Sequence, residues 1–307
     1  MISTFFSKSK PIHYIVVSTI LLLVFVWARL NLIREDFHVW GVIEEMALFS
    51  ICLFSVFLFD FFVSRNKLTK KNSYNIVLFV LFFAILPETV LSAKILMANV
   101  FVLLSLRRLI SLRTQKNIKK KLFDAAFWVV IATLFYAWAA VFLILVFVAL
   151  VTYAITDVKN YLIPFIGVAT AGVLVASYVS VANLETSKLI SGVFDYSLDY
   201  SALNSKQIIV GSTILLSFGL WSLFYYVKNI KSQKKTYRPS FKLIIMAAIL
   251  GLLIVIFAPT KNGSEFLFLF APLSIIITNY IEVITEKWFK ETLLLALIVA
   301  PVAMLLL

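Results

Sequence analysis

Acidic and basic side chains in this chain crowd into a few short stretches where apolar sequence ends. Arg29, Arg34, Glu35 and Asp36 follow one long apolar run, Glu44 and Glu45 open the next, Pro87-Glu88 with Lys94 interrupts another, and Lys261 to Glu265 precede a further one. Carboxylates can act as bases or bind hydroxyls, while Arg and Lys hold phosphate through charge-assisted hydrogen bonds. Side by side, the two kinds suit a sugar joined to a phosphate. In that arrangement Glu44, Glu45, Glu88 and Glu265 line a sugar site, and Arg34, Lys94 and Lys261 hold the phosphate.

Helical spacing extends each carboxylate into a polar stripe. Steps of eight and eleven from Glu44 reach Cys52 and Ser55, Glu88 is followed at four and eleven by Ser92 and Asn99, and Glu265, Pro272 and Asn279 repeat at sevens. Faces of this kind turn away from lipid, so a polar cleft is expected where they converge. The same residues have a second explanation. Carboxylates that open helices are stabilised by the macrodipole, and polar residues deeper down make contacts between helices.

The elements that carry these residues are set by composition. Of 307 residues, 62% are hydrophobic and 14% charged, with 29 Phe against 8 Gly. Soluble domains average about 45–50% apolar and about 25% charged. Eleven apolar segments of roughly membrane-spanning length fall near 12–29, 41–63, 74–87, 90–106, 123–136, 138–155, 160–182, 208–228, 241–258, 266–282 and 290–307. The expected fold is therefore all-α, a polytopic transmembrane bundle of about 11 helices forming a single integral membrane domain over 1–307. Loops are short, which leaves no room for a soluble catalytic domain and excludes a nucleotide-binding fold, a receptor ectodomain and a cytosolic enzyme. The charge-poor run from Leu122 to Ile155 is too long for one span, so a tight hairpin is expected near Tyr136 to Ala139.

Charge sets the orientation. With the N-terminus cytoplasmic, 22 of the 28 Lys and Arg fall on the inner side, as the positive-inside rule requires. The net charge of +13 then reflects membrane surface, not nucleic acid. Arg107, Arg108 and Arg113 at an inner span end could also grip a lipid phosphate. The mixed-sign collar lies at the outer ends. Cys52 is the lone cysteine, and His13 and His38 are the only histidines, so neither a disulfide framework nor a metal centre is expected. No cofactor motif is present. Asp195 and Asp199, with Tyr196 and Tyr200, read as an interfacial turn rather than a carboxylate pair.

Two resemblances add to this reading. The placement of Glu35 and Asp36 just after the first span is similar to that of lipid-linked sugar transferases with multipass folds, which carry an acidic residue there. That likeness implies Glu35 or Asp36 as the catalytic acid or base, although the first outer loop is only about 11 residues where the superfamily has a long one. The opening Met1 to Pro11, Leu106-Arg107-Arg108-Leu109, Lys121 to Ala125, Gly263 to Leu267 leading to Ala271-Pro272-Leu273, and Asn279-Tyr280 resemble a functionally uncharacterised multipass inner-membrane family of Bacteroidota. This second resemblance spans nearly the whole chain. It implies a cell-envelope protein in the company of polyprenyl-phosphate sugar enzymes, and supplies no reaction.

The leading expectation is an inner-membrane protein that handles a lipid-linked, polyprenyl-phosphate sugar or glycan at its periplasmic face, as a small glycosyltransferase. Its partners are then membrane lipids and that substrate. A second expectation is a non-enzymatic subunit of an envelope secretion or motility complex, docked on partner membrane proteins. A transporter or flippase comes third, since it calls for midplane charges, broken helices and repeat symmetry.

Overall fold

The structure is a computed structural model that describes residues 2–35, 39–182, 195–259 and 261–304. It is helical, with no strand among the described residues. Helices α1 (Ile2–Phe6), α2 (Pro11–Glu35), α3 (Val39–Asn66), α4 (Tyr74–Ile85), α5 (Ala93–Ser111), α6 (Ile118–Phe135), α7 (Leu143–Thr152), α8 (Lys159–Val181), α9 (Lys206–Ile230), α10 (Arg238–Phe257), α11 (Leu267–Val283) and α12 (Lys287–Met304) follow in order. Each of the eleven apolar segments read from the sequence overlaps one of α2 to α12. Among the described residues, seven helical stretches are long and apolar enough to cross a membrane. Helix α4 rises only about 18 Å, short of a hydrocarbon core of about 30 Å, and is prolonged by a 3-10 turn over Pro87–Val90.

The hairpin expected within 122–155 is present. Helix α6 ends at Phe135, Tyr136 is extended, and a 3-10 segment over Ala137–Phe142 leads into α7.

The chain folds into two compact units. The first holds α1 to α4, the start of α5, α9, α11 and α12. Its centre is α4, whose sequence is apolar on every side after Asn75, so no face can be left for solvent. It packs against α2, α3, α9, α11 and α12. Phe79 stacks on Phe59 at 4.5 Å and meets Phe83 and Phe270 edge-on. Helix α11 is buried along almost its whole length. Helix α2 buries one narrow stripe and leaves Leu22, Leu23 and Trp27 exposed, as a lipid-facing helix does.

The ends of these helices opposite Arg29 and Glu45 are tied by polar side chains. Tyr14 donates to Asp60 at 2.7 Å, Asn75 donates to the other Asp60 oxygen at 3.0 Å, and His13 bonds Ser73 at 2.8 Å. Asn279 donates to the Leu68 carbonyl, while Glu282 accepts from Lys70 N and Asn72.

The second unit contains the rest of α5 with α6, α7, α8 and α10. Helices α6 and α8 pack closely at Gly167, where a Cβ would lie 2.9 Å from the Phe123 carbonyl oxygen. Phe101 stacks between Trp128 and Phe135, and the Tyr153 hydroxyl bridges the Ile110 carbonyl and Ser240. The basic residues at one end of this unit are internally bonded. Arg108 pairs with Asp124 at 2.9 Å, Arg113 lies over the Tyr237 ring, and Lys121 donates to Ser111 O and Thr114.

Candidate functional site

The collar residues of the first unit fall into two arrangements that meet at the turn after α4. The first is built on Arg29, near the end of α2 and only 6% exposed. Its Nε and Nη2 donate to the two Glu45 carboxylate oxygens at 2.5 and 2.7 Å, and Nη1 donates to the carbonyls of Val90 and Leu91, each at 2.9 Å. Such a bidentate fork is the geometry in which guanidinium binds carboxylate best. Arg29 thereby fastens α2 to α3 and to the 87–90 turn, and Glu45 is committed to it. Glu44, one residue away, is exposed on the wall of a cleft of about 390 Å3 between α2 and α3. That cleft is lined mostly by apolar side chains such as Phe25, Val42 and Phe49.

The second arrangement joins the 87–90 turn to residues 261–266. Gly263 has φ +89°, a left-handed conformation that favours glycine. A Cβ there would meet Glu88 Cβ at 3.2 Å and Ile208 Cδ1 at 3.3 Å, so the bare backbone lets the two turns close on one another. Ser264 seals the junction by donating to the Glu88 carbonyl at 2.9 Å. Glu265 follows in the 3-10 turn that opens α11 and is 1% exposed. One of its oxygens accepts from Asn262 N at 3.3 Å, while Oε1 is buried with no hydrogen-bond partner among the described residues. Glu88 Oε2 is buried and unpartnered in the same sense. Burial pushes the Glu88 carboxyl above its ordinary value.

A lysine completes this cluster. Lys261 is 5% exposed, with Nζ 4.8 Å from the Tyr200 ring centroid, and its charge bears on both Glu265 and Asp199. Asp199 is exposed and accepts from Ser201 N at 2.9 Å, which draws its carboxyl below the ordinary value. Residues 195–200 are non-helical, so Asp195 and Asp199 do not form a helical pair.

The other candidates are not part of either arrangement as described. Lys94 is exposed at the start of α5. Arg34 and Glu35 end α2 with side chains outside the described residues, and Asp36 is itself outside them. Of the polar stripes, Glu265, Pro272 and Asn279 are buried throughout, whereas Glu44 stands exposed above the packed part of α3. Asp60, buried and doubly bonded at the opposite end of α3, was not among the expected sites. Its signal in the sequence was a carboxylate within an apolar run, close to the basic residues that follow.

Chemically, the 87–90 and 261–266 junction offers two carboxylates with free lone pairs and a largely dehydrated ammonium. That set can accept hydrogen bonds from hydroxyls and neutralise an anion. Residues 1–306 match a family described as Family of unknown function (DUF6427), and the chain belongs to it. No match to the chain was found among curated proteins or solved structures.

Proposed function

We propose that this protein is a multi-pass inner-membrane protein that binds the sugar-phosphate head of a lipid-linked glycan at the outer ends of α2, α4, α9 and α11. The observation that carries the proposal is the pair of unpartnered buried carboxylate oxygens on Glu88 and Glu265, beside the nearly buried Lys261. A buried polar atom without a partner costs about 1–3 kcal/mol, and a hydroxyl-bearing ligand removes that cost at both carboxylates together. Lys261 supplies the charge for phosphate. Arg29 and Glu45 then shape the site without touching the ligand, because each satisfies the other. Transfer chemistry, in this proposal, falls to Glu35 or Asp36 at the junction of α2 and α3, with Arg34 and Lys94 steering the anion inward.

The test is complementation of a deletion strain with wild type, Glu88→Gln, Glu265→Gln and Lys261→Met at matched expression, followed by mass spectrometry of lipid-linked sugars. A polyprenyl-linked species that accumulates in the deletion and in the three variants is the expected result. Variants that restore wild-type pools while the deletion retains an envelope defect would sink the proposal and favour a scaffold in an envelope complex. Glu35→Gln and Asp36→Asn, made together, separate a transferase from a binder: a transferase stops turning over while the lipid still co-purifies.

A further inference from the structure

A second feature of the first unit bears on the same junction from the hydrocarbon side. Between α2, the end of α4, the start of α9 and the end of α12 lies a crevice of about 310 Å3 lined by Leu23, Val24, Trp27, Ala84, Pro87, Gln207 and Pro301. Leu23 and Trp27 are exposed on the outward face of α2, so the crevice opens sideways, toward lipid. Two of its lining residues are chain neighbours of the carboxylate cluster. Pro87 immediately precedes Glu88, Gln207 immediately precedes Ile208, and Glu88 and Ile208 are the two side chains that close on Gly263. An apolar slot and a polar junction are therefore lined by successive residues at two separate places, the 87–90 turn and the start of α9.

We infer that this crevice holds the hydrocarbon chain of a polyisoprenyl phosphate, which enters from the bilayer between α2 and α9 and brings its head to Glu88, Glu265 and Lys261. The inference rests on the headgroup site proposed above and names the route and the lipid class. Size favours one chain over two. Ligand pockets run to roughly 300–1,000 Å3, and a slot of about 310 Å3 is at the small end. A diacyl lipid would leave its second chain outside, whereas a polyisoprenyl phosphate carries one chain per phosphate. The one amide side chain in the lining, Gln207, is next in sequence to Ile208, which closes on Gly263, and in this inference it marks where the chain gives way to the phosphate.

The experiment uses the full-length protein in lipid nanodiscs with a polyisoprenyl phosphate bearing a diazirine on the isoprenoid unit next to the phosphate. After irradiation, labelled peptides are mapped by mass spectrometry. Labels on 23–27, 84–87, 207 or 301, competed by unlabelled polyisoprenyl phosphate and far less by phosphatidic acid, are expected. Ala84→Trp, which fills the slot, should cut labelling at least fivefold. Leu23→Trp narrows the mouth from an exposed position that leaves the packing of α4 intact, and should do the same if Ala84→Trp fails to fold. Labelling spread evenly over the exposed faces of α2, α3 and α8 and unchanged in Leu23→Trp overturns the inference. So does equal competition by phosphatidic acid. Crevice labelling that persists while Glu88→Gln and Glu265→Gln leave cellular lipid-linked sugars untouched keeps the chain site and removes the glycan reading, so the two failures are distinct.

Discussion

Four hydrogen bonds leave the guanidinium of Arg29, two to Glu45 and two to the carbonyls of Val90 and Leu91. Removing a partner from a buried pair strands the other charge, at a cost of about 3–5 kcal/mol, and Glu45 is the less buried partner. Arg29→Met should therefore destabilise the protein by about 3 kcal/mol, near the low end of that range, read as a loss of Tm in detergent. Arg29→Met/Glu45→Met together should recover part of it. Glu88 makes a prediction of opposite character. Its raised carboxyl means that the folded chain holds this proton more tightly than the unfolded chain, whose value is the ordinary 4.5. Its contribution to stability is full below pH 4.5 and is lost as pH rises through the higher folded value. Wild type should thus lose Tm relative to Glu88→Gln on going from acid to neutral pH. A gap that stays constant with pH would contradict a buried, titrating Glu88.

At the scale of elements, Gly263 and Gly167 each allow a close approach to backbone or to a packed turn, and they serve different ends. Gly263 permits a turn-to-turn contact that brings Glu88 against the start of α11. Gly167 permits a helix-to-helix contact, where an added Cβ would lie 2.9 Å from the Phe123 carbonyl oxygen and 3.2 Å from Ala126 Cβ. Small residues let membrane helices approach closely in the absence of a hydrophobic drive between them. Gly167→Val should push α6 and α8 apart at a cost of about 1–3 kcal/mol. The readout is the detergent melting temperature together with faster proteolysis in the 112–117 loop. Gly172, on the same helix with nothing within 4 Å of its Cβ position, is the control, and Gly172→Ala should leave stability unchanged or slightly raised.

For the whole molecule, the distribution of Lys and Arg makes a prediction about sidedness. Cys52 is fully buried, so the wild-type protein should present no thiol to a membrane-impermeant maleimide. Single-cysteine variants then report topology directly. Lys116→Cys should label only from the cytoplasmic side, and Lys94→Cys and Asp199→Cys only from the other. Labelling of Lys94→Cys and Lys116→Cys from one side would mean that α5 does not cross the membrane and would overturn the eleven-span orientation.

The sequence alone was enough for the helical fold, the apolar segments and the break at Tyr136, because these follow from local hydrophobicity and chain order, whereas the family was legible only through the likeness of short motifs such as Gly263 to Leu267. Apolar runs must be helical to satisfy their backbone in lipid, whichever neighbours they find. It could also mark Glu88, Lys261 and Glu265 as costly charges at span ends. What it could not assign was their partners. Arg29 and Glu45 look from the sequence like two more ligand groups, yet tertiary packing turns them on each other. Glu88 and Glu265 are 177 residues apart, and only the left-handed turn at Gly263 brings their turns together with one oxygen of each left over. Asp60 has no pattern along the chain that distinguishes its role, because its meaning lies in Tyr14 and Asn75, which reach it from two other helices. Spacing along a helix determines which residues share a face. Which face meets which is decided by the packing of α4 at the centre of its unit, a long-range choice that no local pattern encodes.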